Sequence, residues 1–283
     1  MAELEPLYTA AEMKAAEEGH DVEELMQRAG GAVADAVVRE YPGARVVAVC
    51  GKGANGGDGR IAAQKLGGSV VEVGDEMPAA DVIVDALFGT GFHGEPREDA
   101  ARSIEAINAA GASVVAVDIP SGVDASTGEV GGAVVDAELT VTFHGPKVGL
   151  AVAPGRFHAG RVEVADIGLE QGETEHRLVT REILRRVPRK RPEDNKYSAG
   201  SVLVVGGAPG TTGAVCLAAE AAFRADAGYV AVCAPRESLP VIETRLLEAV
   251  KRPLDEVFEA AGRAGALALG PGLGRSDDRK ALV

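Results

Sequence analysis

Apolar and polar positions follow two alternating periods along this chain. Val46-Val47-Ala48-Val49-Cys50 is an unbroken apolar run, as expected of a strand buried on both faces. Val70-Val71-Glu72-Val73, Val82-Ile83-Val84, Val114-Val115-Ala116-Val117 and Leu139-Thr140-Val141-Thr142 read as further short buried strands. Between them, residues 60–67 and 97–110 read as helices. Upstream, Asp21 to Glu40 places Val22, Leu25, Met26, Ala29, Val33, Ala36 and Val37 on one helical face. Thr9 with Glu12 three residues on predicts a capping box and a short helix to Glu18. Arg161 to Ala165 reads as the last strand of the unit. This alternation predicts a parallel sheet covered on both faces, a three-layer α/β/α domain over residues 1–172.

The pattern then breaks and restarts. Arg181 to Arg191 is basic (Arg185, Arg186, Arg189, Lys190, Arg191) and interrupted by Pro188 and Pro192, so 173–195 reads as a solvated linker. From 196 the βα alternation resumes. Val202–Val205 reads as strand, Gly206-Gly207-Ala208-Pro209-Gly210 as turn and Gly213–Gly228 as helix. Tyr229–Cys233 reads as strand, 254–263 as helix, and Ala266–Leu269 as a strand leading into Gly270-Pro271-Gly272-Leu273-Gly274. Three strands in about 85 residues make a small core for such a layer fold, so 196–283 reads as an unfinished α/β unit.

Composition narrows the partners. Apolar residues at 46% supply a core, and the net charge of −14 argues against nucleic acid or anionic membranes as bulk partners. Cys50, Cys216 and Cys233 lie in apolar stretches without metal-binding spacing, which fits reduced core residues and a cytoplasmic setting. The acidic N-terminus carries no signal-peptide core, and no apolar run approaches membrane-spanning length. A homo-oligomer is compatible with the sequence.

The candidate chemistry sits at strand ends. Gly51-Lys52-Gly53-Ala54-Asn55-Gly56-Gly57-Asp58-Gly59 is a glycine-rich strand-to-helix turn of the kind that presents backbone N–H groups to phosphate. Gly51, Gly53 and Gly56 satisfy the dinucleotide pattern G-x-G-x-x-G, so an NAD-dependent dehydrogenase with Glu72 on the ribose is the alternative reading. A phosphate cradle alone has no use for the amide and carboxylate of Asn55 and Asp58; a cation or a proton transfer has. Two more strands finish alike, in Asp85-Ala86-Leu87-Phe88-Gly89-Thr90-Gly91 and in Asp118-Ile119-Pro120-Ser121-Gly122. Ligands bind beyond the carboxyl ends of parallel strands, so the three termini form one candidate site. Clustered carboxylates raise one another's pKa or recruit a hard, oxygen-loving cation. His93, His144 and Lys147 are loop residues; Lys147 can reach a phosphate or be solvated.

These pieces resemble the NAD(P)H-hydrate epimerase family. The resemblance rests on Leu25-Met26-Gln27-Arg28-Ala29-Gly30, Asn55–Gly59, Asp85–Gly91, Asp118–Asp124 and Pro146-Lys147-Val148-Gly149-Leu150, in order, over about 5–170. Lys196-Tyr197, Val202–Gly207, Gly213-Ala214, Arg224–Gly228 and Gly270–Gly274 resemble the start of the ADP/ATP-dependent NAD(P)H-hydrate dehydratases, a ribokinase-like fold. The resemblance implies a Rossmann-like domain followed by an incomplete ribokinase-like unit. It implies that Asn55, Asp85 and Ser121 hold potassium and that Asp118 is the catalytic acid/base. It assigns hydrated NADH or NADPH (NADHX, NADPHX) to Ala54, Asn55, Gly56, Gly57 and Asp58, to Gly89, Thr90, Gly91, Phe92, His93, Gly94 and Glu95, and to Asp118. In the second unit it assigns substrate to Ala214 and Gly272, with ADP or ATP as co-substrate. The family's later Gly-Thr-Gly-Asp motif is absent from these 283 residues, so epimerase without dehydratase activity is the expectation. Ala54 and Asn195 stand where the family commonly has Asn and His.

Overall fold

The computed structural model describes residues 4–170, 172–187, 192–196 and 199–275. Arg189, Lys190 and Arg191 of the basic stretch and Tyr197 lie outside the described residues. The chain divides into two compact units, Met1–Arg186 and Val187–Val283.

The first unit runs β1 (Glu5–Pro6), α1 (Ala10–Glu17), α2 (Val22–Glu40), β2 (Val46–Cys50), α3 (Ala54–Leu66), β3 (Ser69–Glu72), β4 (Val82–Ala86), α4 (Glu98–Ala109) and β5 (Ser113–Val117). It continues with β6 (Leu139–Phe143), the short α5 (Val148–Ala151) and α6 (Gly155–His158), β7 (Arg161–Ala165), β8 (Arg177–Leu178) and a 3₁₀ turn over Arg181–Arg186. Six strands form one parallel sheet in the order β3-β2-β4-β5-β6-β7. The register fixes its sides. Val46, Ala48, Cys50, Val82, Val84 and Ala86 pack with α2 and α3, while Val47, Val49, Ile83 and Leu87 pack with Ile104 and Ile107 of α4. Central strands β2 and β4 are therefore buried at every position.

Caps confirm the helix starts. The Thr9 hydroxyl accepts from Glu12 N at 3.3 Å, and the Glu12 carboxylate accepts from Thr9 N at 2.7 Å. Asp21 caps α2 by accepting from Glu23 N and Glu24 N. β3 departs from its expected burial. It is the sheet edge, and of its four residues only Val71 is buried. The linker expectation also shifts, because β8 pairs antiparallel with β1 within the first unit.

The second unit runs β9 (Ser201–Val205), α7 (Thr212–Arg224), β10 (Tyr229–Ala234), α8 (Leu239–Arg245), β11 (Val250–Pro253), α9 (Val257–Ala261) and β12 (Ala266–Leu269). Its sheet is parallel in the order β11-β10-β9-β12, with α7 and α8 on one face and α9 on the other. β11 and α8 escape the sequence pattern. Val250-Lys251-Arg252-Pro253 carries charges and a proline, which suits an edge strand rather than a buried run. β12 forms the opposite edge, with Leu267 54% exposed.

Candidate active site

The sheet of the first unit reverses direction between β2 and β4. After β2 the chain crosses to β3 on one side, and β4 then adds on the other. A crevice opens beyond the carboxyl ends of adjacent strands whose connections diverge. Here the segments following β2 and β4 bound a cleft of about 900 Å³. That volume lies within the usual range for small-molecule sites.

The Asn55–Gly59 segment is helical rather than loop: α3 begins at Ala54. Glycine permits its close seat on the sheet. A Cβ on Gly59 would lie 2.4 Å from Ala86 Cβ, and one on Gly56 would lie 1.9 Å from Gly51 O. The N-cap of this 13-residue helix is Gly53, whose lack of a side chain leaves the first-turn N–H groups without a side-chain cap. Gly51, Lys52, Gly53, Ala54, Asn55 and Asp58 all line the cleft. An uncapped helix N-terminus beside a lysine suits a phosphate in a protein of net charge −14.

Beneath the cleft lies a buried polar cluster. Asp85 belongs to β4 itself and is fully buried. Its Oδ2 accepts from Ser121 N at 2.8 Å, and its Oδ1 accepts from Ser121 Oγ at 2.7 Å and Leu87 N at 3.3 Å. Ser121 Oγ in turn accepts from Phe88 N at 2.9 Å, and Asn55 Nδ2 donates to Phe88 O at 2.8 Å. Asn55 and Ser121 thus meet at Phe88, and Asp85 is joined to them through Ser121. Burial, offset by the Ser121 and Leu87 hydrogen bonds, pushes Asp85 up to about 6. All its partners are neutral, and among the described residues it forms no ion pair.

Asp118 follows β5 in a left-handed conformation, φ 69°. Asp tolerates that region better than most side chains. The turn directs the carboxylate to a buried lysine: Lys147 Nζ donates to Asp118 Oδ1, to Thr142 Oγ1 at 2.9 Å and to Phe143 O at 2.8 Å. Thr142 Oγ1 also donates to Asp118 Oδ1 at 3.1 Å. Lys147 has 0% side-chain exposure, so it is neither solvated nor a phosphate contact. Among the described residues, every hydrogen bond to Asp118 falls on Oδ1, and the residue lines the cleft, where Oδ2 remains to meet a ligand. Sequence reasoning missed this pair. The available signal was Thr142, a polar residue inside a strand read as buried.

Asp58 completes the floor. It is 7% exposed, and its Oδ1 is buried without a hydrogen-bond partner. Desolvation, then Asp118, then Glu17 push it up to about 8. Gly89, Thr90, Gly91, Phe92, His93 and Glu95 line the outer wall, where Phe88 and Phe92 stack at 4.7 Å. Gly56, Gly57 and Gly94 do not line it; Gly57 instead seats α3 against Met26 of α2. Glu17, Arg97, Asp99 and Phe143 join the wall without having been anticipated. Glu72 is ion-paired with Arg60 at 2.6 Å and lines no part of the cleft.

The second unit repeats the topology. Its sheet reverses between β9 and β12, and the turns Gly206–Gly210 and Gly270–Gly274 meet there. Ala208 N donates to Gly272 O at 2.7 Å, and Thr211 Oγ1 donates to the same carbonyl at 2.8 Å. Gly272 adopts φ +63°, and a Cβ there would lie 2.4 Å from Thr211 O. Ala214 is exposed in the first turn of α7, close in sequence to Thr211.

Comparison with known proteins agrees with this double architecture. The family described as YjeF-related protein N-terminus matches residues 22–74 and 63–149, and NAD(P)H-hydrate dehydratase matches 202–283. The chain is a relative of the bifunctional NAD(P)H-hydrate repair enzymes. Those of Moorella thermoacetica and Escherichia coli are 36% and 34% identical to it, each over 92% of this chain, and the matches cover 61% and 58% of their own lengths. The chain thus spans about three fifths of the curated relatives it matches. The crystal structure of yeast ynu0 matches 60% of this chain and 97% of its own, with a TM-score of 0.50 at 20% identity, which supports the fold of the α/β/α unit. These similarities favour the repair-enzyme reading over the dehydrogenase alternative.

Proposed function

We propose that the first unit interconverts the R and S forms of hydrated NADH and NADPH. The supporting observation is the Asp118 carboxylate, tied on one oxygen by buried Lys147, at the floor of a cleft that also presents the α3 N-terminus. NAD(P)HX carries a hydroxyl on C6, beside the ring nitrogen. The nitrogen lone pair expels this hydroxyl as water once it is protonated, leaving an iminium, and water returning to the other face gives the opposite epimer. Asp118 supplies acid/base function and negative potential beside the transient cation. The α3 N-terminus and Lys52 bind phosphate, and the segment from Gly89 to Glu95 covers the nucleotide.

Potassium fits the cluster below. Its donors are all oxygens from Asn55, Asp85 and Ser121, and Asp85 is a buried carboxylate without a cationic partner. A bound monovalent cation would supply that counter-charge and tie the three segments together. The functional division we propose is an epimerase domain over 1–172, a connecting segment over 173–195 that is anchored to the first unit through β8, and dehydratase-type sequence over 196–283. In the last, the turns around Ala214 and Gly272 belong to nucleotide and substrate binding, and ADP or ATP is the expected co-substrate of the longer relatives' chemistry. Three buried free thiols favour a cytoplasmic setting, and among the described residues no helix is long and apolar enough to cross a membrane.

The test starts from a single epimer of NADPHX and follows approach to equilibrium by chromatography, in potassium and in sodium buffer. Equilibration well above the uncatalysed rate, faster in potassium, is expected. Background rates in both buffers would reject the epimerase, and equal acceleration in both would reject the potassium assignment. A parallel incubation with oxidised cofactor and 2-hydroxy acids should show no absorbance change; reduction of the cofactor would restore the dehydrogenase.

A further inference from the structure

We propose that Asp58 is a second catalytic residue of this cleft: a neutral carboxylic acid that protonates the departing hydroxyl, while the Asp118 carboxylate receives a proton from the incoming water. This inference rests on the epimerase reading and divides its acid/base work between two groups.

Inversion at C6 sends water out from one face and brings it back on the other. A single carboxyl must then both protonate the departing hydroxyl and take a proton from the incoming water, whereas two carboxyls can each do one of these. The fold supplies two. Asp58 comes from α3 and Asp118 from the turn after β5, and both line the same cleft.

Their surroundings are opposite in kind. Asp118 has a buried ammonium and a threonine hydroxyl on one oxygen, so its negative charge is compensated. Asp58 has no such support. Its Oδ1 is buried without a partner, and among the described residues it forms no ion pair. The charged groups acting on it are both acidic, Asp118 from the β5 end and Glu17 from α1. Lys147, the nearby cation of the β6–α5 segment, spends its donors on Asp118, Thr142 and Phe143. Burial beside two carboxylates keeps a carboxyl protonated, and two carboxyls with diverging environments divide into acid and base.

The step balances. The Asp58 O–H proton passes to the C6 hydroxyl as the C6–O bond breaks, and the ring nitrogen lone pair forms the C=N bond of the iminium. Water attacks C6 from the opposite face, its O–H proton passes to Asp118, and the C=N electrons return to nitrogen. One proton has moved from Asp58 to Asp118, and solvent exchange restores it. No oxidant or reductant takes part.

Asp58→Asn keeps size and polarity but carries no transferable acidic proton. Epimerisation should fall about 10²–10³-fold, while affinity for NADPHX, measured by calorimetry, should change less than about threefold. The wild-type rate should decline as pH rises through about 8, where Asp58 ionises, and the variant should lose that decline. In wild-type protein, the Asp58 carboxyl carbon followed by NMR should titrate well above the ordinary carboxylate range. A variant with near wild-type rate, or a rate loss matched by an equal affinity loss, would overturn the proposal. So would titration of Asp58 near 4. The titration needs no turnover, so it separates failure of this assignment from failure of the epimerase reading.

Discussion

Replacing Asp118 with Asn is expected to slow interconversion of the NAD(P)HX epimers about 10²–10⁴-fold, the usual contribution of a positioned acid/base group. The backbone should accept the change, since Asn tolerates the left-handed conformation that Asp118 holds at φ 69°. Its amide oxygen can still accept from Thr142, Phe143 N and Lys147, the three bonds now made to Oδ1. The variant also removes the counter-charge of a fully buried ammonium, so it should fold but melt earlier than wild type. Rates therefore belong well below its melting transition, with circular dichroism confirming the folded fraction. A folded Asp118→Asn protein with near wild-type rate would remove Asp118 from the chemistry.

Replacing Lys147 with Met should produce the largest loss of stability at neutral pH, about 3–5 kcal/mol, as expected when one partner of a buried ion pair is removed. Met approximates the length of the lysine stem, which limits the cavity, and the dominant cost is an Asp118 charge left beside Thr142 and the β6 backbone. Urea unfolding of the variant and wild type at neutral pH checks this. Adding Asp118→Asn to Lys147→Met should recover part of the loss, because the pair is then replaced as a unit. Additive losses in the double variant, or wild-type stability in Lys147→Met alone, would contradict the buried pair.

The sequence revealed the sheet where its period was unambiguous. Val46–Cys50 is buried on both faces and reads as such, and Asp118 is visible as a carboxylate directly after an apolar run. Edge strands were poorly legible, since burial is a property of the whole sheet. Val70–Glu72 looked like its neighbours yet keeps only Val71 buried, and Val250–Pro253 was not read as a strand yet pairs with β10. The helical start at Ala54 was hidden by its glycines. Glycine normally weakens a helix, but here α3 needs glycine to lie against Ala86 and Gly51 O. Lys147, read as a phosphate contact or a solvated side chain, was the largest misreading at the site. Its partner is 29 residues away, and only the fold brings that carboxylate beneath the β6–α5 segment. The division between Asp58 and Asp118 was likewise illegible, because both are aspartates after glycine-flanked strand ends and only their neighbours differ.

The central claim, that the cleft over Asp118 catalyses loss and return of water at C6, is tested most directly with isotopically labelled solvent. One NADPHX epimer is incubated with the protein in H₂¹⁸O, and both epimers are separated and weighed by mass spectrometry at early times. The account predicts that the newly formed epimer carries ¹⁸O at C6, with enrichment equal to that of the solvent and formation far above the protein-free control. Formation of the other epimer with its original oxygen retained, or at the control rate, would contradict it.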